Sequence, residues 1–266
     1  MDNTFNVKRF GLFFKKTITE RPVQTIGVTV LLLLLSFILY AVTKKLLGFT
    51  AAQNLTFIWG LSGGGFFLAS FVFGYFSNNA SGSSYLTLPV SYFEKWLCSI
   101  IITGVLYPII FLVFYHFMDM AFVAAYHNSL DPTSIFYKRQ YDSVFVFDMN
   151  GILAWKVYSL FLTLTGAMLT GALYFNKIPF IKTGIAVCII LFLLLGLNWL
   201  IASVLFSNMT LNDAGPYDHV TLAVGKEEGT LILPPDMENF FYYCFAFVLP
   251  VILWILPLSR LREKEF

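Results

Sequence analysis

The sequence predicts an all-α integral membrane protein. It has six transmembrane helices, an N-terminal amphipathic helix in the membrane interface, and a small external β-hairpin-like loop region. Three observations lead there. Of 266 residues, 58% are hydrophobic and only 12% charged, against about 25% charged in a typical soluble domain. Six apolar runs reach the roughly 20 residues that a helical span needs. Most of the basic residues fall on one side of the resulting topology.

The chain begins with a basic, aromatic stretch, FNVKRFGLFFKKTI over residues 5–18. Val7, Phe10, Phe14 and Ile18 recur at helical spacing and Phe13 joins them, while Lys8, Arg9, Lys15 and Lys16 flank the face. A basic helix with one aromatic face lies in the interface plane, and Pro22 ends it. Residues 1–22 are therefore an interfacial helix leading into a single membrane domain that occupies the whole of 1–266. The first apolar run reads as a span and not as a signal peptide, because it is too long and no small-residue cleavage site follows it.

The spans lie at about 25–43, 55–76, 96–118, 152–175, 180–206 and 239–258. With the N-terminus in the cytoplasm, eleven of the 17 Lys and Arg residues fall inside and five outside, with Lys156 inside the fourth span. That bias sets the orientation, although the pair Lys44–Lys45 runs against it. Six spans bring both termini to the cytoplasm. The compact chain and the lack of a eukaryotic targeting signal point to a bacterial inner membrane, crossed many times. A net charge of +2 gives no reason to expect a nucleic-acid partner.

The two long loops, about 119–151 and 207–238, are then external. HVTLAV (219–224) and TLILP (230–234), joined by GKEEG, read as a hairpin, and SVFVFD (143–148) as a further strand. Both loops are expected to build one small β-structure.

The cytoplasmic connection between the second and third spans has more pattern than a plain turn needs. SNNASGSS (77–84) reads as a polar turn and YLTL (85–88) as one amphipathic helical turn, interrupted by Pro89. Ser91 and Glu94 stand at capping-box spacing, so Ser91 caps the next helix while Glu94 reaches back. Lys95 and Trp96 mark the re-entry into lipid. The stretch is either a rigid knuckle able to transmit force or an ordinary capped helix start.

The segment LPVSYFEKWL (88–97), together with the six spans and the N-terminal helix, resembles the membrane subunits of ABC-2-type transporters. The residues that carry the resemblance are Leu88, Pro89, Val90, Ser91, Glu94 and Lys95. It implies that the short cytoplasmic helix docks in a groove on an ABC ATPase subunit, with Tyr85, Leu86, Leu88, Glu94 and Lys95 near that contact. It further implies a second permease copy, as homodimer or heterodimer, and a pathway between the two. The family often places re-entrant helices before its last span, whereas 207–238 is polar and strand-like.

Other residues add less. No phosphate-binding G-x-x-x-x-G-K-[ST] occurs, so ATP is expected to be used by a partner chain, and no cofactor or metal is expected in this one. No catalytic motif argues for an enzyme. The glycines of GLSGGGFF (60–67) either let the second span approach a neighbour closely or mark a broken helix. Asp119 and Lys156 come at similar depth and are candidates for a polar pair, and Asn198 for a helix–helix hydrogen bond. Gly166 with Thr170, and Ala167 with Gly171, form small-xxx-small pairs, a packing face. Cys98, Cys188 and Cys244 read as small buried hydrophobes. Two functions follow from the whole. One is a permease, an exporter, powered by a separate ATPase. The other is an ATPase-coupled structural or signalling subunit that acts on an envelope partner and moves no substrate.

Overall fold

The computed structural model describes residues 5–77, 79–175, 177–206, 210–215, 219–224, 227–232 and 234–263. Six helices long and apolar enough to cross a membrane are present: Val23–Leu47, Phe49–Val72, Tyr92–Asn128, Ile152–Tyr174, Pro179–Leu205 and Asn239–Glu263. The chain is a multi-pass helical membrane protein. The second span begins at Phe49, earlier than the apolar run suggests, because Gly48 alone makes the turn after the first span. Its φ of 88° is open to glycine and strained for other residues.

The core is built on the second, third and fourth spans. Over half of the second span's most apolar window is buried (56%), whereas the fifth span buries only 6% of its own. One apolar cluster centres on Phe57, Phe111, Tyr115 and Phe161. A second gathers Phe13, Tyr85, Cys98 and Leu261 and so brings the N-terminal helix, the knuckle and the last helix to the same end of the bundle. Cys98 is buried as expected, but Cys188 is exposed, because the fifth span turns most of its surface outward.

Both readings of the glycine cluster meet in the second span. Trp59–Gly63 forms a wide π-helical turn. A side chain at Gly60 would strike Phe111, one at Gly64 would strike Tyr107, and one at Gly65 would strike Phe161 and Thr165. The hydroxyl of Tyr107 donates to the Gly60 carbonyl, supporting the backbone where its ladder is widened. The other small-residue face packs within the chain. Gly166 makes room for Trp254 of the sixth span, and Gly171 for Thr183 of the fifth.

The sixth span carries Pro250 and Pro257, which have no N–H to offer the carbonyls four residues back, Ala246 and Leu253. Hydroxyls of the fourth span take their place. Ser159 donates to the Ala246 carbonyl at 3.5 Å and Thr170 to the Leu253 carbonyl at 3.0 Å. Two indoles complete the seam, Trp254 donating to the Leu162 carbonyl at 2.8 Å and Trp96 to the Trp254 carbonyl at 2.7 Å. In lipid these freed carbonyls have no water to turn to. Thr170→Val is expected to cost about 1–3 kcal/mol, seen as a lower unfolding temperature in detergent, while Thr170→Ser retains most of it. Equal unfolding temperatures for wild type and Thr170→Val would contradict this.

The sheet has three antiparallel strands, β1 (Thr210–Ala214), β2 (His219–Val224) and β3 (Glu227–Ile232), in the order β1-β2-β3. β2 matches the sequence reading. β3 starts earlier than expected, and residues 225–226 of the turn lie outside the described residues. The expected strand at 143–148 does not form. That stretch has no strand pairing, and its burial does not alternate: Val144 is buried, Phe145 and Val146 are exposed, and Phe147 packs against Phe57 and Tyr115. The third strand of the sheet is instead β1, which the sequence reading left as loop. The loop between the third and fourth spans is also shorter than expected, since the third span continues to Asn128.

Candidate functional site

The connection between the second and third spans is more ordered than its composition suggests. Asn79–Thr87 is helical, where a polar turn was expected up to residue 84. Serine, asparagine and glycine are poor helix formers, and tertiary contacts override them. Ser81 donates to the Tyr75 carbonyl at 2.6 Å. Tyr85 stacks on Tyr75 at 4.7 Å and meets Phe76 and Phe13 edge-on or tilted. Burial holds the Tyr85 phenol well above its ordinary pKa, so it stays neutral as a packing residue.

After a bend at Leu88–Val90 the capping box forms as the spacing predicts. Ser91 Oγ accepts from the Glu94 amide at 3.2 Å, and Glu94 Oε2 accepts from the Ser91 amide at 2.9 Å. Glu94 does more than cap its own helix. Its carboxylate accepts from the Asn6 amide at 2.9 Å and from Arg9 Nε and Nη2 at 2.9 Å each. Asn6 in turn caps the N-terminal helix, Val7–Glu20, its Oδ1 accepting from Lys8 and Arg9 amides. One carboxylate thus fastens the starts of two helices.

Lys95 points elsewhere. Its Nζ donates to the Leu86 carbonyl at 3.0 Å, in the last turn of the knuckle helix, and lies 5.3 Å from the Tyr85 ring centroid and 5.5 Å from that of Tyr92. A cation at a helix C-terminus satisfies carbonyls that the helix leaves open. Glu94 and Lys95 are 0% and 1% exposed. The adjacent acid and base therefore brace the third span against the N-terminal helix on one side and the knuckle helix on the other.

These residues have roles within the chain as well as the expected ones. The resemblance placed Tyr85, Leu86, Leu88, Glu94 and Lys95 near a partner. Tyr85, Glu94 and Lys95 are buried, and Leu86 and Leu88 are half-buried against the apolar cluster. The outward surface of the knuckle is Ser83, Ser84, Thr87 and Pro89, continued by Phe93. The N-terminal helix forms over Val7–Glu20 as expected, and it also packs on the protein. Phe13 is buried, and Phe10 and Phe14 pack against the same cluster, so its aromatic face is spent largely on protein.

A second buried carboxylate lies toward the opposite end of the third span. Asp119, 0% exposed, accepts from the Tyr40 hydroxyl at 2.6 Å, Gln53 Nε2 at 3.0 Å and the Phe147 amide at 2.7 Å. Gln53 Nε2 also donates to the Phe145 carbonyl at 2.8 Å. The expected pairing with Lys156 is not made. Lys156 is exposed, and the carboxylate is met by neutral donors from the first and second spans and from the returning loop. Among the described residues, Asn198 Nδ2 donates to the Gly215 carbonyl at 3.1 Å, tying the fifth span to the chain beyond β1.

No family model matches the chain, and neither does any curated protein or solved structure.

Proposed function

We propose that this chain is the membrane-spanning permease subunit of an ABC transporter, an exporter, and that a separate cytoplasmic ATPase drives it from the knuckle. Two copies would enclose the pathway in a bacterial inner membrane, with both termini in the cytoplasm. The observation that carries the reading is the bracing of the knuckle. A partner seated on Ser84, Thr87 and Pro89 would push on a helix whose end is tied by Lys95 and whose neighbour is tied by Glu94 to the N-terminal helix. No long soft loop separates that surface from the third span. The segment also lies at the end that holds Phe13 and Leu261, as a docking surface facing the side of both termini requires.

Co-purification with an ATPase encoded beside this chain tests the proposal. Ser84→Arg with Thr87→Arg adds bulk and charge to the exposed face without touching Glu94 or Lys95. Membrane insertion is expected to be normal and association lost. Undiminished association in the double variant would remove the docking assignment.

A further inference from the structure

We propose that the cavity between the fifth span and the β-sheet holds the alkyl tail of one membrane lipid. It measures about 370 Å³, within the roughly 300–1,000 Å³ of small-molecule sites. The fifth span contributes Ile201, Ala202 and Leu205 to its wall, the sheet Val220 and Ile232, and the start of the sixth span Phe241. Two polar side chains border it, and both turn to Gly215. Asn198 donates to the Gly215 carbonyl. The His219 ring lies so close that a Cβ on Gly215 would meet it at 2.7 Å. The other described residues that line this open groove are apolar or glycine. A buried water needs two to four polar partners, and a peptide needs partners for its backbone. An alkyl chain needs neither.

The cavity's position selects a lipid over other apolar ligands. The fifth span buries only 6% of its most apolar window, so its flanks face hydrocarbon. Measured from Pro179, Asn198 comes about 28 Å along the helix at about 1.5 Å per residue. Ile201 and Leu205 follow at about 33 and 39 Å, so against a hydrocarbon core about 30 Å thick the cavity straddles the edge, beside the sheet. Its rim is apolar and outward-facing, with Leu205 71% and Ile232 69% exposed. A tail can pass from the leaflet into the chamber without crossing a polar surface, leaving its headgroup at the interface. This inference does not depend on an ATPase partner.

Native mass spectrometry of the full chain tests it, after extraction in mild detergent and washing to remove loosely held lipid. One retained phospholipid per chain is expected. Ala202→Trp, which fills the chamber, and Ile232→Trp, which blocks its rim, should each remove most of that adduct. Val30→Trp fills a separate apolar groove between the first and third spans and should leave it in place. Should Ala202→Trp fail to fold, Ile232→Trp at its exposed rim position carries the test. Absence of a retained lipid on the wild type would overturn the proposal. So would an adduct undiminished in the correctly folded variants, or one lost equally from Val30→Trp.

Discussion

Glu94→Ala is expected to release the N-terminal helix from the bundle and to lower stability by about 1–3 kcal/mol, the usual cost of removing a charged hydrogen-bond partner, since the Arg9 left behind is 29% exposed. The carboxylate accepts from Arg9, from the Asn6 amide and from the Ser91 amide. Its loss takes the acceptor from the buried Ser91 amide and from Arg9 and Asn6, which are partly open to solvent, and it unmakes the capping box of the third span. Arg9→Ala leaves Glu94 buried without its cation but still accepting from the Asn6 and Ser91 amides, and should cost a similar amount. Because the two act on one bond, the double variant is expected to fall short of the sum of the singles. The measurements are unfolding temperature in detergent and trypsin cleavage at Lys8, Lys15 and Lys16, which should become fast. Wild-type unfolding and slow cleavage in Glu94→Ala would show that the N-terminal helix is held by its aromatic face alone.

Asp119→Ala is expected to be comparably damaging at the other end of the same helix. Tyr40, Gln53 and the Phe147 amide all aim donors at this carboxylate. Each donor left unpaired in a buried site costs about 1–3 kcal/mol. Asp119→Asn keeps the shape but turns one acceptor into a donor, so it should recover only part of the loss. The returning loop should loosen with it. A cysteine at Phe145, whose carbonyl is held by Gln53, should then react faster with a polar thiol reagent than in the Asp119 background. Unchanged stability in Asp119→Ala would mean that the aromatic contacts of Phe147 with Phe57 and Tyr115 hold the loop unaided.

These two acids explain why the third span is so long. Glu94 and Asp119 stand about 37 Å apart along one helix at about 1.5 Å per residue, so both lie at or beyond the edges of a hydrocarbon core of about 30 Å. Each is placed where a carboxylate is cheapest to keep, and each collects chain segments that would otherwise hang free. The helix is keyed at one end to the N-terminal helix and at the other to the first two spans and their neighbouring loop.

The spans were legible because lipid demands long apolar runs, and the Ser91–Glu94 box because it is written in four adjacent residues. β2 was legible from its alternation. What could not be read were pairings across the chain. Arg9 lies 85 residues from Glu94, and Tyr40 lies 79 from Asp119; nothing local to either end names its partner. Asn6 offered a hint, an N-cap residue directly before an amphipathic run. The Thr170 hydroxyl bond was half-visible, since Pro257 inside a span announces a carbonyl in need of a donor but not which donor. The strand expected at 143–148 failed because its apolar residues are held singly, Phe147 by Phe57 and Tyr115 of the helices, and not by a neighbouring strand. The polar stretch at 79–84 became helix because Tyr85 and Ser81 are held by Tyr75, a contact that propensity does not see.

The most direct measurement of the proposed docking surface is site-specific photo-crosslinking in membranes that contain the chain and an ATPase encoded beside it. A photoreactive amino acid at Thr87 samples the exposed face of the knuckle, and one at Thr230 on β3 serves as the opposite-end control. The result predicted is an adduct of ATPase mass from position 87 and none from position 230. A fully inserted chain that gives no ATPase adduct from position 87, or gives it from position 230, would contradict the assignment of the knuckle as the place where the motor engages.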